Sequence, residues 1–493
     1  MVLRWWITPV LLVVLSVLLG ARLPARELPP LVPPPPAMVM PEPSFKVLAN
    51  GLKVVALERH ALPIVTLTFT TPAGSAADPP HLAGMAQFVA ALLNEGTRDR
   101  SALQIAEAID DAGGTIDTGA DWDDSYARLS VLADHTGLAF DLLSDITIRP
   151  AFAPDEVERI RKQIVSALDI LHDDPSYLAD TMFERVVFQG TTYSHPPEGV
   201  EGSIQRITSK DLRRFHARYY RPANSALVVV GDISTTNAFD LAQRFFGHWR
   251  GGKPFHLPHV SPISRLARRV VVIDDPEAVQ TEIRIGNAAI DRDNPDYDAL
   301  TVANQILGGP AENLLFSALR SRRGLVYGAS SDLVCYRNAG DWEAQTSTET
   351  SETIKTVELM LDQMKRVAGR DMDREDLQLA QNYLVGHMAL EFETSPEITD
   401  QLVSLLTYNL PLDYWNSFPA QIRGLTDQKV AEATGRYLKP EKADIVLVGN
   451  ASGFKKNLKK LGAAQIIPIG EIDFASATLE QPHATLASSH YRY

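Results

Sequence analysis

The feature that most constrains the fold of this chain is an internal repeat. The stretch ITSKDLRRFHARYYRPANSALVVVGDIS begins at Ile207, and LTDQKVAEATGRYLKPEKADIVLVGNAS begins at Leu425. The two stretches align without a gap, and the alignment pairs Pro222 with Pro440 and keeps the glycine that ends each apolar run. A long match that preserves the residues that punctuate the backbone indicates that a whole domain is duplicated.

Composition sets the boundaries of the two copies. The segment GGKPFHLPHVSPISRLA is rich in Gly and Pro and predicts a linker over residues 251–267. It separates a first domain over residues 44–250 from a second domain over residues 268–465. Near the start, the alternation in FKVLANGLKVVALERHALPIVTLTFT predicts two strands joined through the Asn50-Gly51 turn and a short loop. Because both copies mix such strands with long helices, we predict an α+β fold with largely antiparallel sheets.

The two ends of the chain carry different signals. An apolar run of about fifteen residues follows one Arg near the N-terminus, which is short for a spanning helix and typical of a signal peptide. We predict a signal peptide over residues 1–25, with an uncleaved membrane anchor as the alternative, and a Pro-rich linker over residues 26–43. Residues 466–493 lack periodicity and are predicted to be disordered. The predicted location is the periplasm, either free or anchored to the membrane.

The net charge argues against a nucleic-acid surface, and the cysteine content excludes an intrachain disulfide. The formal net charge is -14, and a nucleic-acid surface needs clustered Lys and Arg to neutralise phosphates. We therefore expect no nucleic-acid partner. The single cysteine, Cys335, lies in the apolar run DLVCYR and can form no intrachain disulfide.

Several ordered motifs resemble one family, the insulinase/pitrilysin metallopeptidases or inverzincins. They are ANGLKVV, NEGT, YYRPANSALVVVGD and NPDYDALTVANQILGG followed by LRSRRGLVY, and together they extend over nearly all of residues 44–465. The resemblance implies two homologous α/β-sandwich domains, as in the mitochondrial processing peptidase/insulinase-like fold. In that family, H-x-x-E-H on a helix supplies two zinc ligands and a general base, because positions four apart share one face.

The zinc motif implied by this resemblance is degenerate here. Registered on the downstream Gly-Thr pair, its His, Glu and His positions are occupied by Gln87, Ala90 and Ala91. The third ligand of the family, a Glu further along the chain, falls near Ser166 and Ala167. Alanine at these positions also avoids the cost of burying unpaired polar groups. We therefore predict no metal site and no cofactor in this chain.

A second feature of the family is retained. LRSRRGLVY places Arg320 seven residues before Tyr327. In larger members, an Arg and a Tyr at this spacing reach the zinc site of the other half of the molecule and stabilise the transition state. A guanidinium and a phenol are suited to this role, because both donate hydrogen bonds to a carbonyl oxygen that gains negative charge. The alternative is that Arg320 is a surface residue and Tyr327 anchors a strand.

Loss of the metal positions and retention of the Arg/Tyr pair lead to one main hypothesis. The chain is predicted to be the zinc-less subunit of a heterodimeric peptidase, inactive alone, in which Arg320 and Tyr327 assist the zinc site of a homologous partner. The expected substrate is an unfolded peptide, held partly by strand addition to a sheet edge. A non-enzymatic assembly scaffold with the same fold remains the alternative, and a self-sufficient metalloendopeptidase would require ligands that the sequence lacks.

Overall fold

A computed structural model describes residues 40–252, 254–255, 267–310, 312–369, 372–474, 476 and 479. The predicted signal peptide, most of the Pro-rich linker and residues 480–493 of the predicted tail lie outside the described residues. Within the described residues, no helix is both long enough and apolar enough to span a bilayer.

Twelve strands are present in the described residues, and the N-terminal stretch for which the sequence predicts two strands holds three. The strands are β1 Ser44–Val47, β2 Lys53–Glu58, β3 Ile64–Thr71, β4 Thr115–Ala120, β5 Ser125–Leu132, β6 Ala226–Gly231, β7 Val270–Asp274, β8 Gln280–Ala288, β9 Val326–Cys335, β10 Gly340–Glu349, β11 Asp444–Gly449 and β12 Ala464–Pro468.

Helices cover one face of each sheet and also pass between the domains. They are α1 Met85–Ala91, α2 Ala102–Asp111, α3 Thr136–Ile148, α4 Pro154–His172, α5 Pro175–Val187, α6 Glu201–Arg206, α7 Ser209–Tyr219, α8 Thr235–Phe246, α9 Tyr297–Gly308, α10 Leu314–Phe316, α11 Thr353–Ala368, α12 Arg374–His387, α13 Ser395–Thr407, α14 Tyr414–Arg423 and α15 Asp427–Tyr437. The α10 helix continues directly as a π-helical turn over Ser317–Ser321.

Five strands follow the same order in both sheets, while the sixth is β1, antiparallel to β2, in the first sheet and β12, parallel to β7, in the second. The first runs β1-β2-β6-β3-β5-β4 and the second runs β12-β7-β11-β8-β10-β9. In each, the strand that ends the sequence repeat (β6 or β11) lies parallel to one neighbour and antiparallel to the other. Antiparallel pairs predominate in both sheets, which confirms the predicted α+β fold with two homologous domains.

One helix of each domain crosses over and packs on the sheet of the other. The α5 helix lies on β8 and β11, and the α13 helix lies on β3 and β6. Phe183 of α5 is fully buried against the second sheet, and Leu405 of α13 is fully buried against the first. Full burial of one such side chain stabilises a fold by roughly 1.5–3 kcal/mol. The two domains are therefore joined by a shared apolar core.

A pair of salt bridges repeats this reciprocity. Asp180 is the sixth residue of α5 and Asp400 is the sixth residue of α13. Asp180 accepts from the Arg284 guanidinium of β8 at 2.5 Å, and Asp400 pairs with Arg128 of β5. Both pairs connect a crossing helix to the sheet of the other domain. The two acidic residues therefore occupy the same position of the crossing helices, whereas their arginine partners lie on non-equivalent strands, β8 and β5.

The C-terminal boundary of the second domain differs from the predicted one. The β12 strand extends past residue 465 and pairs in parallel with β7, and its Ile467 is fully buried. This strand is not evident from the sequence, because it has only five residues and ends at a proline. The second sheet therefore includes residues 466–468, which were predicted to belong to the disordered tail.

Candidate functional site

The degenerate zinc motif lies on α1, a short helix built into the core of the first domain. The Asp78 carboxylate accepts hydrogen bonds from the backbone N–H groups of Gly84, Met85 and Ala86 at 2.7, 3.2 and 2.9 Å and so satisfies the first turn. Five of its seven residues are buried, including Phe88. Apolar packing and this capping explain why a seven-residue helix forms here.

The residues at the former ligand positions do not fit a zinc ion. The Gln87 amide donates its hydrogen bond to the Ala120 carbonyl, and Ala90 is fully buried in the apolar core. Ala91 packs against the same core, while Ser166 and Ala167 are exposed on α4. In the part of the chain that the structure describes, no group of three His, Cys, Asp or Glu side chains is arranged to hold a metal.

Gln87 lines a cavity of about 650 Å³ between the first domain and α13, which we call the interdomain cavity. Four aromatic side chains line it together with several carboxylates. The aromatic residues are Trp122, Tyr126, Tyr336 and Tyr408, and the acidic residues include Asp121, Asp124 and Asp400. The sequence analysis did not identify this cavity, although the stretch ADWDDSY was a possible signal because it concentrates three Asp residues next to a Trp.

Two buried carboxylates of that stretch tie the domains together at the cavity. Asp124 accepts hydrogen bonds from the hydroxyls of Thr70 and Thr407 at 2.8 and 3.1 Å, so it joins β3 to α13. Burial raises the pKa of Asp124 to about 6, while these two hydrogen bonds oppose the shift. Asp123 accepts from the Tyr193 hydroxyl and from the backbone N–H of Arg337, both at 2.7 Å. These contacts give the acidic side chains a structural role.

The Arg/Tyr pair lies elsewhere, at an edge of the second sheet. The Arg320 guanidinium carbon is 5.7 Å from the centre of the Tyr327 ring, and its Nη1 donates to the Val326 carbonyl at 3.3 Å. Tyr327 is the second residue of the edge strand β9, and 89% of its surface is exposed. The structure therefore brings the two predicted residues together, but neither lines the cavity that holds Gln87.

The local backbone explains how Arg320 is placed. It lies in the π-helical turn that follows α10, and such turns are frequent at functional sites. Leu319 beside it is fully buried, which directs Arg320 outward. Within the described residues, no carboxylate forms an ion pair with Arg320. Its charge and the Tyr327 hydroxyl are therefore available to another molecule.

Comparison with known proteins gives two family matches that together extend over more than half of the chain. Residues 53–199 match the family model for insulinase (peptidase family M16), and residues 206–384 match the model for the peptidase M16 inactive domain. The chain belongs to the insulinase family.

Relatives in the insulinase family carry differing descriptions. An uncharacterised zinc protease of Mycobacterium leprae is 26% identical over 71% of this chain and 78% of its own length. A non-peptidase homologue of Helicobacter pylori, YmxG, is 21% identical over 80% of this chain and 91% of its own. The crystal structure of a peptidase M16 inactive domain from Pseudomonas fluorescens superposes with a TM-score of 0.78 and 28% identity, covering 83% of this chain and 97% of that one.

Proposed function

We propose that this chain is the zinc-less subunit of a two-chain insulinase-family peptidase, and that Arg320 and Tyr327 complete the active site of a zinc-bearing homologous subunit. The observation that carries the proposal is the exposed pairing of these two side chains at the start of β9. A tyrosine that is 89% exposed adds little to its own fold, so its position beside a guanidinium favours a role toward another molecule.

The chemistry of the pair suits peptide hydrolysis. The guanidinium and the phenol hydroxyl can both donate hydrogen bonds to a peptide carbonyl oxygen as it gains negative charge. The same strand, β9, has one unpaired edge because it is the last strand of the second sheet. An unfolded peptide could pair with that edge through its backbone, next to Arg320 and Tyr327.

The metal is assigned to the partner because the positions that would hold it here are occupied by Gln87, Ala90 and Ala91. These side chains form hydrogen bonds and apolar contacts within this chain and offer no ligand set. We further propose that both subunits are exported and meet in the periplasm, either free or tethered through the N-terminal segment. The predicted signal peptide supports this location.

The test is peptide hydrolysis by a mixture of this chain and a zinc-motif homologue from the same organism. Arg320→Ala and Tyr327→Phe are each expected to lower kcat by about 100-fold, the effect of removing one donor to a developing oxyanion. Arg322→Ala is the matched control, because Arg322 is also exposed and lies just beyond the same turn. The zinc content of the mixture is expected to stay unchanged in all three variants.

A complex that hydrolyses peptide equally well with both residues substituted would contradict the catalytic role of the pair. The alternative function, an assembly scaffold, predicts a stable complex whose hydrolysis does not depend on this chain. The name of the Helicobacter pylori relative as a non-peptidase homologue is the observation that favours this alternative.

A further inference from the structure

A second cavity of about 300 Å³ lies beside the loop that leads into α1, where the first domain meets Phe474 of the C-terminal segment, and we call it the loop pocket. It shares no residue with the interdomain cavity and does not involve Arg320 or Tyr327. Most of its wall is apolar and is formed by Pro79, Pro80, Pro196, Val200 and Phe474. A concave and mostly apolar wall with a few polar groups is the usual form of a small-molecule site.

The polar groups of the loop pocket are two guanidinium groups, two histidines, three hydroxyl groups and one carboxylate, and burial lowers the pKa of His195. Arg185, Arg206 and two histidines line it, and Asp78 is the one carboxylate among the described lining residues. Both Asp78 oxygens already accept hydrogen bonds from the backbone of the first turn of α1, and burial raises the pKa of Asp78 well above its ordinary value. Asp78 is therefore poorly placed to neutralise the guanidinium groups.

The two arginines keep unused hydrogen-bonding capacity. Arg185 donates through its two terminal nitrogens to the carbonyls of Ser194 and Ser476, but its buried Nε has no hydrogen-bond partner in the described structure. Arg206 donates to the His81 carbonyl at 3.1 Å. Burial lowers the pKa of Arg185, and the charge of Asp473 opposes this shift only in part. A guanidinium charge that is only partly compensated near an apolar wall favours the binding of an anion.

We propose that the loop pocket binds a carboxylate that is attached to a small apolar group. The apolar group would contact Pro79, Pro196 and Phe474, and the carboxylate would accept hydrogen bonds from Arg206 and the Arg185 Nε. Two sources provide this chemistry, namely a free organic acid and the C-terminal residue of a peptide. The site is independent of the proposed peptidase role, because it uses none of the same residues.

The experiment measures binding of three probes to the purified full-length chain by titration calorimetry. The probes are 3-phenylpropionate, its neutral analogue 3-phenylpropionamide, and N-acetylphenylalanine, which represents a peptide C-terminus. At least one of the two carboxylates is expected to give a saturable isotherm, while the amide is expected to bind at least tenfold more weakly, because it loses a charge-assisted hydrogen bond. Whichever carboxylate binds more tightly identifies the source.

Variants locate the binding site on the chain. Arg206→Gln is expected to weaken carboxylate binding about tenfold, because it removes a charged donor. Ala83→Leu is expected to abolish binding, because Ala83 lines the pocket and a larger side chain would fill it. Arg214→Gln is the matched control, since Arg214 is exposed on α7, outside the pocket, and this variant is expected to bind like the parent.

Three results would overturn the proposal. The first is equal binding of the amide and the acid, which would show that the pocket recognises only apolar surface. The second is unchanged carboxylate affinity in both Arg206→Gln and Ala83→Leu, which would place the site elsewhere. The third is the absence of a saturable isotherm for either carboxylate at millimolar concentration.

Discussion

Asp341 tests whether a carboxyl group buried in the second sheet stays protonated in the folded protein. It is the second residue of β10, is only 4% exposed, and lies at the level where α5 crosses the second sheet. Burial, followed by repulsion from Asp332, raises its pKa from 3.8 to about 8. Glu184 of α5 is affected in the same way, and burial followed by repulsion from Asp341 raises its pKa to about 8. We predict that Asp341→Asn stabilises the protein, and increasingly so as the pH rises.

The sign and the size follow from proton linkage. Between about pH 4 and pH 8, the unfolded chain has lost the Asp341 proton while the folded chain retains it. Each pH unit in this window therefore lowers the free energy of unfolding by about 1.4 kcal/mol through this one group. The amide of the variant cannot ionise, so this part of the pH dependence disappears. Between pH 5.5 and pH 7.5 the variant should gain about 3 kcal/mol relative to the parent.

Urea denaturation of both proteins at pH 5.5, 6.5 and 7.5 measures this difference. Ser166→Ala serves as the control, because Ser166 is exposed and has no ionisable side chain, so its difference from the parent is expected to stay constant with pH. A difference between Asp341→Asn and the parent that does not change with pH would refute the reasoning. It would mean that Asp341 is already ionised in the folded protein.

Three further substitutions test other parts of the structure by urea denaturation. Phe183→Ala removes a fully buried ring from the crossing helix α5 and should lower the free energy of unfolding by about 3–5 kcal/mol, whereas Leu379→Ala, at a 62% exposed position, should change it by less than about 0.5 kcal/mol. Equal effects would show that α5 is not part of the shared core. Ala90→Glu buries a carboxyl group in α1 and should lower the free energy of unfolding by about 3 kcal/mol or more. Elemental analysis of this variant is expected to find no bound zinc. Stoichiometric zinc in that variant would contradict the account of the degenerate motif. Gly231→Ala should lower the free energy of unfolding by about 1–3 kcal/mol, because φ at Gly231 is +142° and a Cβ there would lie 2.1 Å from the Ile64 carbonyl oxygen. An unchanged free energy of unfolding would contradict this.

The sequence predicted the duplicated architecture because the repeat keeps a helix, a proline-containing turn and a buried strand in one order. It could not predict that α5 and α13 exchange partners. Their apolar faces require a sheet to pack on, but nothing in either helix specifies whether that sheet belongs to its own domain. The equivalence of Asp180 and Asp400 became visible only when both helices were placed.

The candidate site was predictable to a similar extent. The resemblance to the insulinase family implied that Arg320 and Tyr327 act together, and the structure places them side by side at one edge of the second sheet. The interdomain cavity was missed because its lining comes from separate parts of the chain, including Gln87, Tyr336 and Tyr408. Residues so far apart in sequence form no local pattern that identifies a cavity.

The most direct test of the central claim is to measure zinc content and peptide hydrolysis for the purified chain alone and after mixing with the zinc-motif homologue. The account predicts neither bound zinc nor hydrolysis for the chain alone, and hydrolysis that appears or rises strongly on mixing. Stoichiometric zinc together with hydrolysis by the isolated chain would contradict the assignment of Gln87, Ala90 and Ala91 as vacated metal positions. Hydrolysis by the homologue that is unchanged on mixing would contradict the shared active site.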